Sequence, residues 1–314
     1  FELSRDNQKQ AMLPSSAGVL VNLNGTAPGF SMVLDKCRFF FMPGVPSEMK
    51  SMFEDEVKPK LLELFGLKKE ILIERLTIFG LPESRVGVLL DGFDDKFPGM
   101  TLGFRADFPF IEVKIVCRLE RSGKGAGRCE TMEKLMDTAR EWAILRLENK
   151  VISQKGQRLE QEVGRLLKEK KNTLAIAESC TGGLISNLVT DVAGSSDYFL
   201  FSAITYSNDA KIKILGVAQK TLEAHGAVHE QIALEMALGA KKAGNADWGI
   251  STTGIAGPGG GTADKPVGTV CIGVAGPGIE TAKRYTFNFG NRARNKKMFA
   301  ATALELLRRQ LAGR

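Results

Sequence analysis

The second half of the chain alternates short apolar segments with longer amphipathic ones, and this alternation constrains the fold more than any other feature. Apolar runs of strand length predict strands at 174–177, 199–206 and 248–253. Apolar residues at helical spacing predict helices at 156–169, from about 181, and at 211–215, 230–243 and 294–311. Two further strands are expected to pair antiparallel across the turn at 276–278, namely 267–274 and 284–289. Strands interleaved with helices predict a layered α/β domain.

The first half of the chain follows two other patterns. Near the N-terminus, a strand at 38–41 leads through a loop to a helix that Ser47 is predicted to cap and Gly66 to end. The middle segment predicts a small α+β domain, with strands at 70–79, 101–104 and 111–116 and helices at 82–90 and 129–147. Because 314 residues exceed the roughly 250–300 that one core usually serves, we expect three domains. Their predicted bounds are 1–67 (a partial α/β domain), 68–152 and 153–314.

Composition argues against several classes of protein. The net charge is +7, but basic residues are interleaved with acids and no basic–aromatic stripe occurs, so no nucleic-acid partner is expected. No apolar run reaches the roughly 18 residues of a membrane helix. The five cysteines are scattered without a CxxC pair, which indicates reduced thiols and a cytoplasmic location. The chain begins at Phe1 with no signal-like segment, and we expect that its natural N-terminus is missing.

One strand-to-helix turn carries two potential nucleophiles, Ser179 and Cys180, followed by Thr181, Gly182 and Gly183. The glycines allow the backbone to approach a ligand closely, and N–H groups at a helix N-terminus can stabilise an oxyanion. The same residues also fit a structural turn in which Ser179 caps the helix and Cys180 is a small buried side chain. Short motifs match by chance often, so this segment alone favours capping.

A second segment supplies a candidate base. Tyr206, Asn208 and Lys211 lie around the end of the next predicted strand. A serine nucleophile needs a base, and a lysine with a lowered pKa serves where histidine is absent. The chain has only two histidines, His225 and His229, and neither lies near such a turn. His229 is predicted to start a helix, so the pair does not indicate a metal site.

A third segment, at 252–262, is a glycine-rich loop. Six of its eleven residues are Gly or Pro, which is too many for an ordinary turn. A loop of exposed backbone N–H groups suits a phosphate or carboxylate, although the Gly-Lys-Ser/Thr end of a Walker loop is absent. Ligands of open α/β sheets bind beyond the carboxyl ends of strands. Since all three segments follow predicted strands, we expect them to form one site.

Five motifs occur in order between residues 177 and 270. They are Ala177 to Gly183, Gly194 to Ser196 with Tyr198 and Phe199, Tyr206 to Asn208 with Lys211, Thr253 to Gly260, and Lys265 to Val270. Together they resemble the C-terminal domain of the competence/damage-inducible CinA family. The resemblance implies a homodimeric nicotinamide-nucleotide amidase that needs no cofactor. It would hydrolyse nicotinamide mononucleotide to nicotinate mononucleotide and ammonia in pyridine-nucleotide salvage.

The resemblance also implies roles for single residues. Ser179 would be the nucleophile and Lys211 its base, with Tyr206 and Thr253 assisting catalysis. Substrate contacts are implied for Cys180, Thr181, Gly182, Gly183, Asn208, Gly257, Gly259, Gly260 and Arg292. Arg292 would contact the phosphate or ribose, and Cys180 stays open as the alternative nucleophile. Two positions depart from the family: Asn291 replaces an acid, which leaves the orientation of Arg292 open, and His229 replaces a serine.

Two loops of the first domain resemble the later part of the molybdopterin-binding-like domain of full-length CinA proteins. The matching residues are Gly25, Thr26, Pro43, Gly44, Val45, Pro46, Ser47 and Glu48. The resemblance implies hydrolysis of the ADP-ribose pyrophosphate bond with a divalent metal and potassium, although the metal ligands are not identified. The earlier part of that domain is absent from this sequence, so we expect its site to be incomplete. The middle domain stands where the family has a KH-like domain, and it has no GxxG clamp.

Three functions therefore stay open at the level of sequence. The leading hypothesis is an amidase of the Ser-Lys type in the C-terminal domain. The second is a metal-dependent ADP-ribose pyrophosphatase in the N-terminal domain. The third is a non-catalytic nucleotide-binding accessory protein of competence, because resemblance in fold does not guarantee activity.

Overall fold

The computed structural model describes residues 9, 10, 12–66, 69–120 and 130–313. It shows a mixed α/β protein, as the sequence predicts, with sheets of three, four and five strands. The chain divides into two compact units, residues 1–72 with 118–129 and residues 73–117 with 130–314. The predicted boundary after residue 67 lies outside the described residues, and the division into three domains stays a prediction. Within the described ranges, no helix is long and apolar enough to cross a membrane.

The first unit contains an antiparallel three-stranded sheet. Its strands are β1 (Gly18–Leu20), β2 (Gly29–Leu34) and β3 (Cys37–Phe41). Two helices follow, α1 (Pro46–Met52) and α2 (Lys58–Phe65), with a π-helical turn at Phe53–Val57 between them. A small apolar core links the sheet to the helices through Leu20, Met52 and Val57.

The predicted start of the first helix is wrong. Val45 is its N-cap and Pro46 its first residue, so Ser47 lies inside the helix. Proline suits this position because its fixed φ is helical and its missing N–H would have no partner there. The π-helical turn also divides the segment that was predicted as one helix, while its end at Gly66 is confirmed.

A four-stranded sheet follows, in the order β5-β6-β4-β7. Its strands are β4 (Lys69–Phe79), β5 (Met100–Asp107), β6 (Phe110–Glu120) and β7 (Val151–Ser153). The accompanying helices are α3 (Glu83–Leu89), α4 (Phe93–Lys96), α5 (Glu130–Leu147) and a 3₁₀ turn at Glu148–Lys150. The predicted elements are confirmed, except that Cys129 lies outside the described residues. Strand β7 and helix α4 were not predicted.

The C-terminal half of the second unit is built on a five-stranded sheet in the order β12-β11-β10-β8-β9. Its strands are β8 (Leu174–Glu178), β9 (Phe199–Ile204), β10 (Trp248–Gly254), β11 (Thr269–Gly276) and β12 (Ile279–Thr286). The three strands β8, β9 and β10 run parallel, so their carboxyl ends share one edge. The predicted antiparallel pair is confirmed as β11 and β12, with β12 starting earlier than predicted because Ile279 pairs with Gly276.

Helices cover both faces of this sheet. One face carries α6 (Leu159–Lys170), α7 (Leu184–Thr190) and α11 (Arg292–Leu311), packed on Ile176, Ile250 and Ile272. The other face carries α8 (Asn208–Leu215), α9 (Gln219–His225) and α10 (Glu230–Ala243), packed on Ala175 and Ala177. A 3₁₀ turn at Ser195–Asp197 precedes β9. The layered α/β architecture predicted for this half is confirmed.

Candidate active site

A sharp turn places Ser179 at the carboxyl end of β8. The Ser179 N–H donates to the Thr252 carbonyl at 3.0 Å, and the Ser179 carbonyl accepts from the Gly182 N–H at 3.1 Å. Gly182 and Gly183 have φ of 61° and 90°, which other residues adopt only under strain. Helix α7 consequently begins at Leu184 and not at about 181 as predicted.

Lys211 lies beside this turn. Ser207 caps α8 by accepting a hydrogen bond from the Ala210 N–H at 3.1 Å, which fixes the first turn of the helix. The Lys211 Nζ donates to Ser179 Oγ at 3.2 Å and to the Thr205 carbonyl at 2.8 Å. The side chain is 1% exposed and forms no ion pair with a described residue, and burial lowers the pKa of its amine. A neutral amine next to a hydroxyl can take its proton.

Cys180 is chemically unlike its neighbour. The thiol is buried at 5% exposure, and burial raises its pKa to about 12. The attacking form of cysteine is the thiolate, which such a pKa suppresses at neutral pH. Lys211 donates a hydrogen bond to the Ser179 hydroxyl, whereas the Cys180 thiol is held in its protonated form by burial.

Two threonines of the predicted site bind neighbouring chain segments. The hydroxyls of Thr181 and Thr252 are 2.7 Å apart, which joins the turn to β10. The Thr253 hydroxyl donates to the Ala227 carbonyl at 2.7 Å. Thr181 and Thr253 are almost fully buried, and their predicted roles in substrate binding and catalysis stay predictions.

Arg292 connects the other two predicted segments. Its guanidinium donates to the Gly257 carbonyl at 2.6 Å and to the Tyr206 hydroxyl at 3.1 Å. Asn291 caps α11 by accepting from the Arg294 N–H at 3.1 Å, so the amide at this position anchors the helix that orients Arg292. The structure therefore brings Tyr206, Gly257 and Arg292 together beyond the strand ends, where Tyr206 and Arg292 are exposed and Gly257 is buried.

Three other residues of the predicted site, Asn208, Gly259 and Gly260, are exposed. Asn208 is the exposed first residue of α8, and its side chain has no hydrogen bond to a described residue. Gly259 and Gly260 lie in the exposed part of the glycine-rich loop. Their predicted contacts with substrate stay predictions.

A buried carboxylate, Glu178, was missed by the sequence reasoning. It is fully buried and accepts hydrogen bonds from the N–H groups of Ile185 (3.1 Å) and Ser186 (2.9 Å) and from the Ser186 hydroxyl (2.7 Å). A negative charge here satisfies the free N–H groups and the dipole at the start of α7. The available signal was an acid at the end of an otherwise apolar strand, immediately before the candidate nucleophile.

The histidine at position 229 acts as predicted. His229 is the N-cap of α10, and its Nδ1 accepts from the Gln231 N–H at 3.1 Å. Its ring stacks on His225 with centroids 4.1 Å apart. In the described part of the chain, no group of three or more His, Cys, Asp or Glu side chains is placed to hold a metal ion.

The candidate loops of the first unit meet at one point. Gly25 lies against the Glu48 carboxylate, which would have to move to make room for a Cβ at position 25. Asn22 donates to the same carboxylate at 2.8 Å, and Thr26 donates to Gln10 at 3.3 Å. The remaining predicted residues of these loops, Pro43, Gly44, Val45, Pro46 and Ser47, are exposed or partly exposed. These described residues do not form a carboxylate cluster for a divalent metal.

Comparison with known proteins finds similarity to proteins of the CinA family. A family model described as the CinA C-terminal domain matches residues 156–311. A CinA-like protein of Desulforapulum autotrophicum is 50% identical over 317 residues, covering 99% of this chain and 73% of the relative. A CinA-like protein of Desulfosudis oleivorans is 50% identical over 305 residues, covering 96% and 72%. Among solved structures, the crystal structure of competence/damage inducible protein CihA from Agrobacterium tumefaciens has a sequence 38% identical to this one. The alignment covers 48% of this chain and 94% of that chain, with a TM-score of 0.46.

Proposed function

The chain belongs to the CinA family, and we propose that its C-terminal half is an amidase that hydrolyses nicotinamide mononucleotide to nicotinate mononucleotide and ammonia. The observation that carries this proposal is the buried Lys211 amine, which lies 3.2 Å from Ser179 Oγ and forms no ion pair with a carboxylate of the described residues. An amine in this setting is a general base, and a hydroxyl beside it is an activated nucleophile.

The first half-reaction forms an acyl-enzyme. Ser179 Oγ attacks the carboxamide carbon while its proton passes to Lys211 Nζ, which gives a tetrahedral oxyanion. We assign the oxyanion to the backbone N–H groups of Cys180 and Thr181, because the next N–H in the turn, from Gly182, is bonded to the Ser179 carbonyl. Collapse of the tetrahedral intermediate breaks the C–N bond. The proton on Lys211 moves to the leaving nitrogen, so neutral ammonia departs.

The second half-reaction returns the enzyme to its starting state. A water molecule attacks the ester carbonyl and gives its proton to the Lys211 amine. The tetrahedral intermediate then releases Ser179, which recovers the proton from Lys211, and nicotinate mononucleotide leaves. The pyridinium ring of the substrate is cationic, so its binding near Lys211 further disfavours the ammonium form of that lysine.

Substrate recognition is assigned to the exposed side of the strand ends. The phosphate is anionic, and the Arg292 guanidinium is held there by the Gly257 carbonyl and the Tyr206 hydroxyl. The planar guanidinium can bind phosphate oxygens in a bidentate manner. The backbone N–H groups of the glycine-rich loop, with Gly259 and Gly260, are further candidate donors to this phosphate.

Ammonia release from nicotinamide mononucleotide tests the proposal. Ser179→Ala should lower kcat by about 10⁴-fold or more, because Ser179 has the one hydroxyl to which Lys211 donates a hydrogen bond among the described residues. Ser196→Ala is the matched control, since Ser196 is exposed and lies outside the site, and its activity should equal that of the wild type. Full activity of Ser179→Ala would refute the nucleophile assignment.

Cys180 is tested in the same assay. Cys180→Ala should keep its activity within a few-fold, because the buried thiol is held protonated and serves as packing. A Cys180→Ala variant that folds normally but releases no ammonia would transfer the role of nucleophile to Cys180. Binding of nicotinamide mononucleotide without any turnover in the wild type would instead favour a nucleotide-binding accessory protein.

The other expectations stay predictions. ADP-ribose hydrolysis by the first unit would require a divalent metal that its described residues are not arranged to hold. Release of AMP from ADP-ribose by this chain would establish that second activity. The homodimer, the cytoplasmic location and the independence from cofactors likewise stay predictions.

A further inference from the structure

A separate cleft of about 720 Å³ lies within the second unit, between the loops that follow β4 and β5 and the C-terminal helix α11. None of the candidate active-site residues lines it. Its walls carry six aromatic residues, namely Phe79, Phe108, Phe110, Tyr285, Phe287 and Phe289. Pockets for small molecules have volumes of about 300–1,000 Å³ and are mostly apolar, so the cleft has the size of a ligand site.

The aromatic walls are incompletely covered by protein. All six rings are half-buried, although they pack on one another. Phe108 meets Phe289 edge-to-face at 5.0 Å, and Phe79 lies 5.6 Å from Phe110. Rings in a protein core bury most of their surface, whereas rings around an open cleft leave apolar area that a flat apolar molecule can cover.

The cleft is also electropositive. The Arg294 guanidinium lies 4.4 Å from the Phe108 ring centroid and 5.7 Å from that of Phe289. Neither Arg294 nor Lys150, which also lines the cleft, forms an ion pair with any described residue. Among the described residues that line the cleft, Glu305 has the one carboxylate, and it is already paired with Arg308 and Arg309. Two positive charges therefore face an aromatic cleft without a counter-ion from the protein.

We propose that this cleft binds a small planar aromatic molecule that carries an anionic group. The aromatic part covers the half-buried rings, and the carboxylate, sulfonate or phosphate pairs with Arg294 and Lys150. A neutral aromatic ligand would leave both charges uncompensated, and a purely ionic ligand would leave the rings uncovered. The proposal concerns a second site and does not depend on the amidase assignment.

Two matched fluorescent probes test it on the whole chain. 8-Anilinonaphthalene-1-sulfonate is a planar aromatic anion, and N-phenyl-1-naphthylamine is its neutral counterpart. We expect the sulfonate to bind with one-to-one stoichiometry and the neutral probe to bind at least about tenfold more weakly, since one charge-assisted contact is worth about that factor. Equal affinity of the two probes would overturn the proposal.

Three variants locate the binding. Arg294→Gln should weaken sulfonate binding about tenfold and leave the neutral probe unchanged, because it removes one charge from an exposed side chain. Leu306→Trp should abolish binding by filling the cleft. Arg105→Gln is the control, since Arg105 is exposed and precedes a lining residue without lining the cleft itself, and it should bind as the wild type does.

Two results would contradict the proposal. The first is unchanged sulfonate affinity in Arg294→Gln, a variant that should fold normally because the side chain is exposed and forms no ion pair with a described residue. The second is a change of oligomeric state in Leu306→Trp, measured by light scattering, which would make the cleft an interface between copies of this chain. If Leu306→Trp does not fold, as judged by its circular dichroism, Arg294→Gln alone decides the outcome.

Discussion

Replacement of Glu178 by glutamine tests whether the buried carboxylate holds the turn that carries the candidate nucleophile. The carboxylate accepts three hydrogen bonds, two from backbone N–H groups and one from the Ser186 hydroxyl. A glutamine amide has one acceptor oxygen, so when that oxygen faces Ser186 its NH₂ group faces the Ile185 N–H. One unpaired buried N–H costs about 1–3 kcal/mol, and the lost charge adds about 1 kcal/mol. We expect Glu178→Gln to destabilise the protein by about 3 kcal/mol.

Thermal unfolding followed by circular dichroism measures this loss. At about 2–4 °C per kcal/mol for a unit of 150–250 residues, the Tm should fall by about 6–12 °C. Glu169→Gln is the matched control, because Glu169 is an exposed helix residue paired with Arg165 and should cost about 0.5 kcal/mol or less. A loss below about 1 kcal/mol in Glu178→Gln would refute the reasoning that this carboxylate anchors α7.

Two further predictions concern the proposed reaction. In the wild type, kcat/KM for ammonia release should rise with pH through the pKa of Lys211, because the base acts in its neutral form. Burial places this pKa below an exposed lysine's value of about 10.4. Lys211→Met should remove both this rise and most of the activity; a retained pH profile would exclude Lys211 as the base. Arg292→Gln should raise KM for the mononucleotide at least about tenfold while hardly changing KM for nicotinamide riboside. Equal effects on both substrates would contradict a role for Arg292 at the phosphate.

Much of the C-terminal half could be predicted because its strands are short apolar runs separated by helical patterns. That order implies parallel strands with a shared carboxyl edge, and this edge is where Ser179 and Lys211 meet. Although the two residues are 32 positions apart, each follows its own strand at that edge. The contact between Ser179 and Lys211 therefore follows from the order of the strands in the sheet, and the periodicity of the sequence indicates that order.

Other features could not be predicted because they depend on tertiary contacts. Helix α9 has one buried apolar residue in its seven positions, Leu222, so its sequence shows little amphipathic pattern. Glu178 follows four apolar residues, and nothing in the sequence shows that its carboxylate turns back to α7. Similarly, Gly257 and Tyr206, the hydrogen-bond partners of Arg292, lie 35 and 86 residues away from it, and local sequence patterns do not predict contacts at such separations.

The separations along the chain have a consequence for how the protein is made. Contacts between residues far apart in sequence form late in folding, because long loops must close before they are stabilised. Ser179 and Lys211 are separated by 32 positions, Thr181 and Thr252 by 71, and Tyr206 and Arg292 by 86. Arg292 belongs to α11, which follows every other described helix along the chain. A nascent chain therefore cannot assemble the proposed site, with Ser179, Lys211 and Arg292, before α11 has been synthesised.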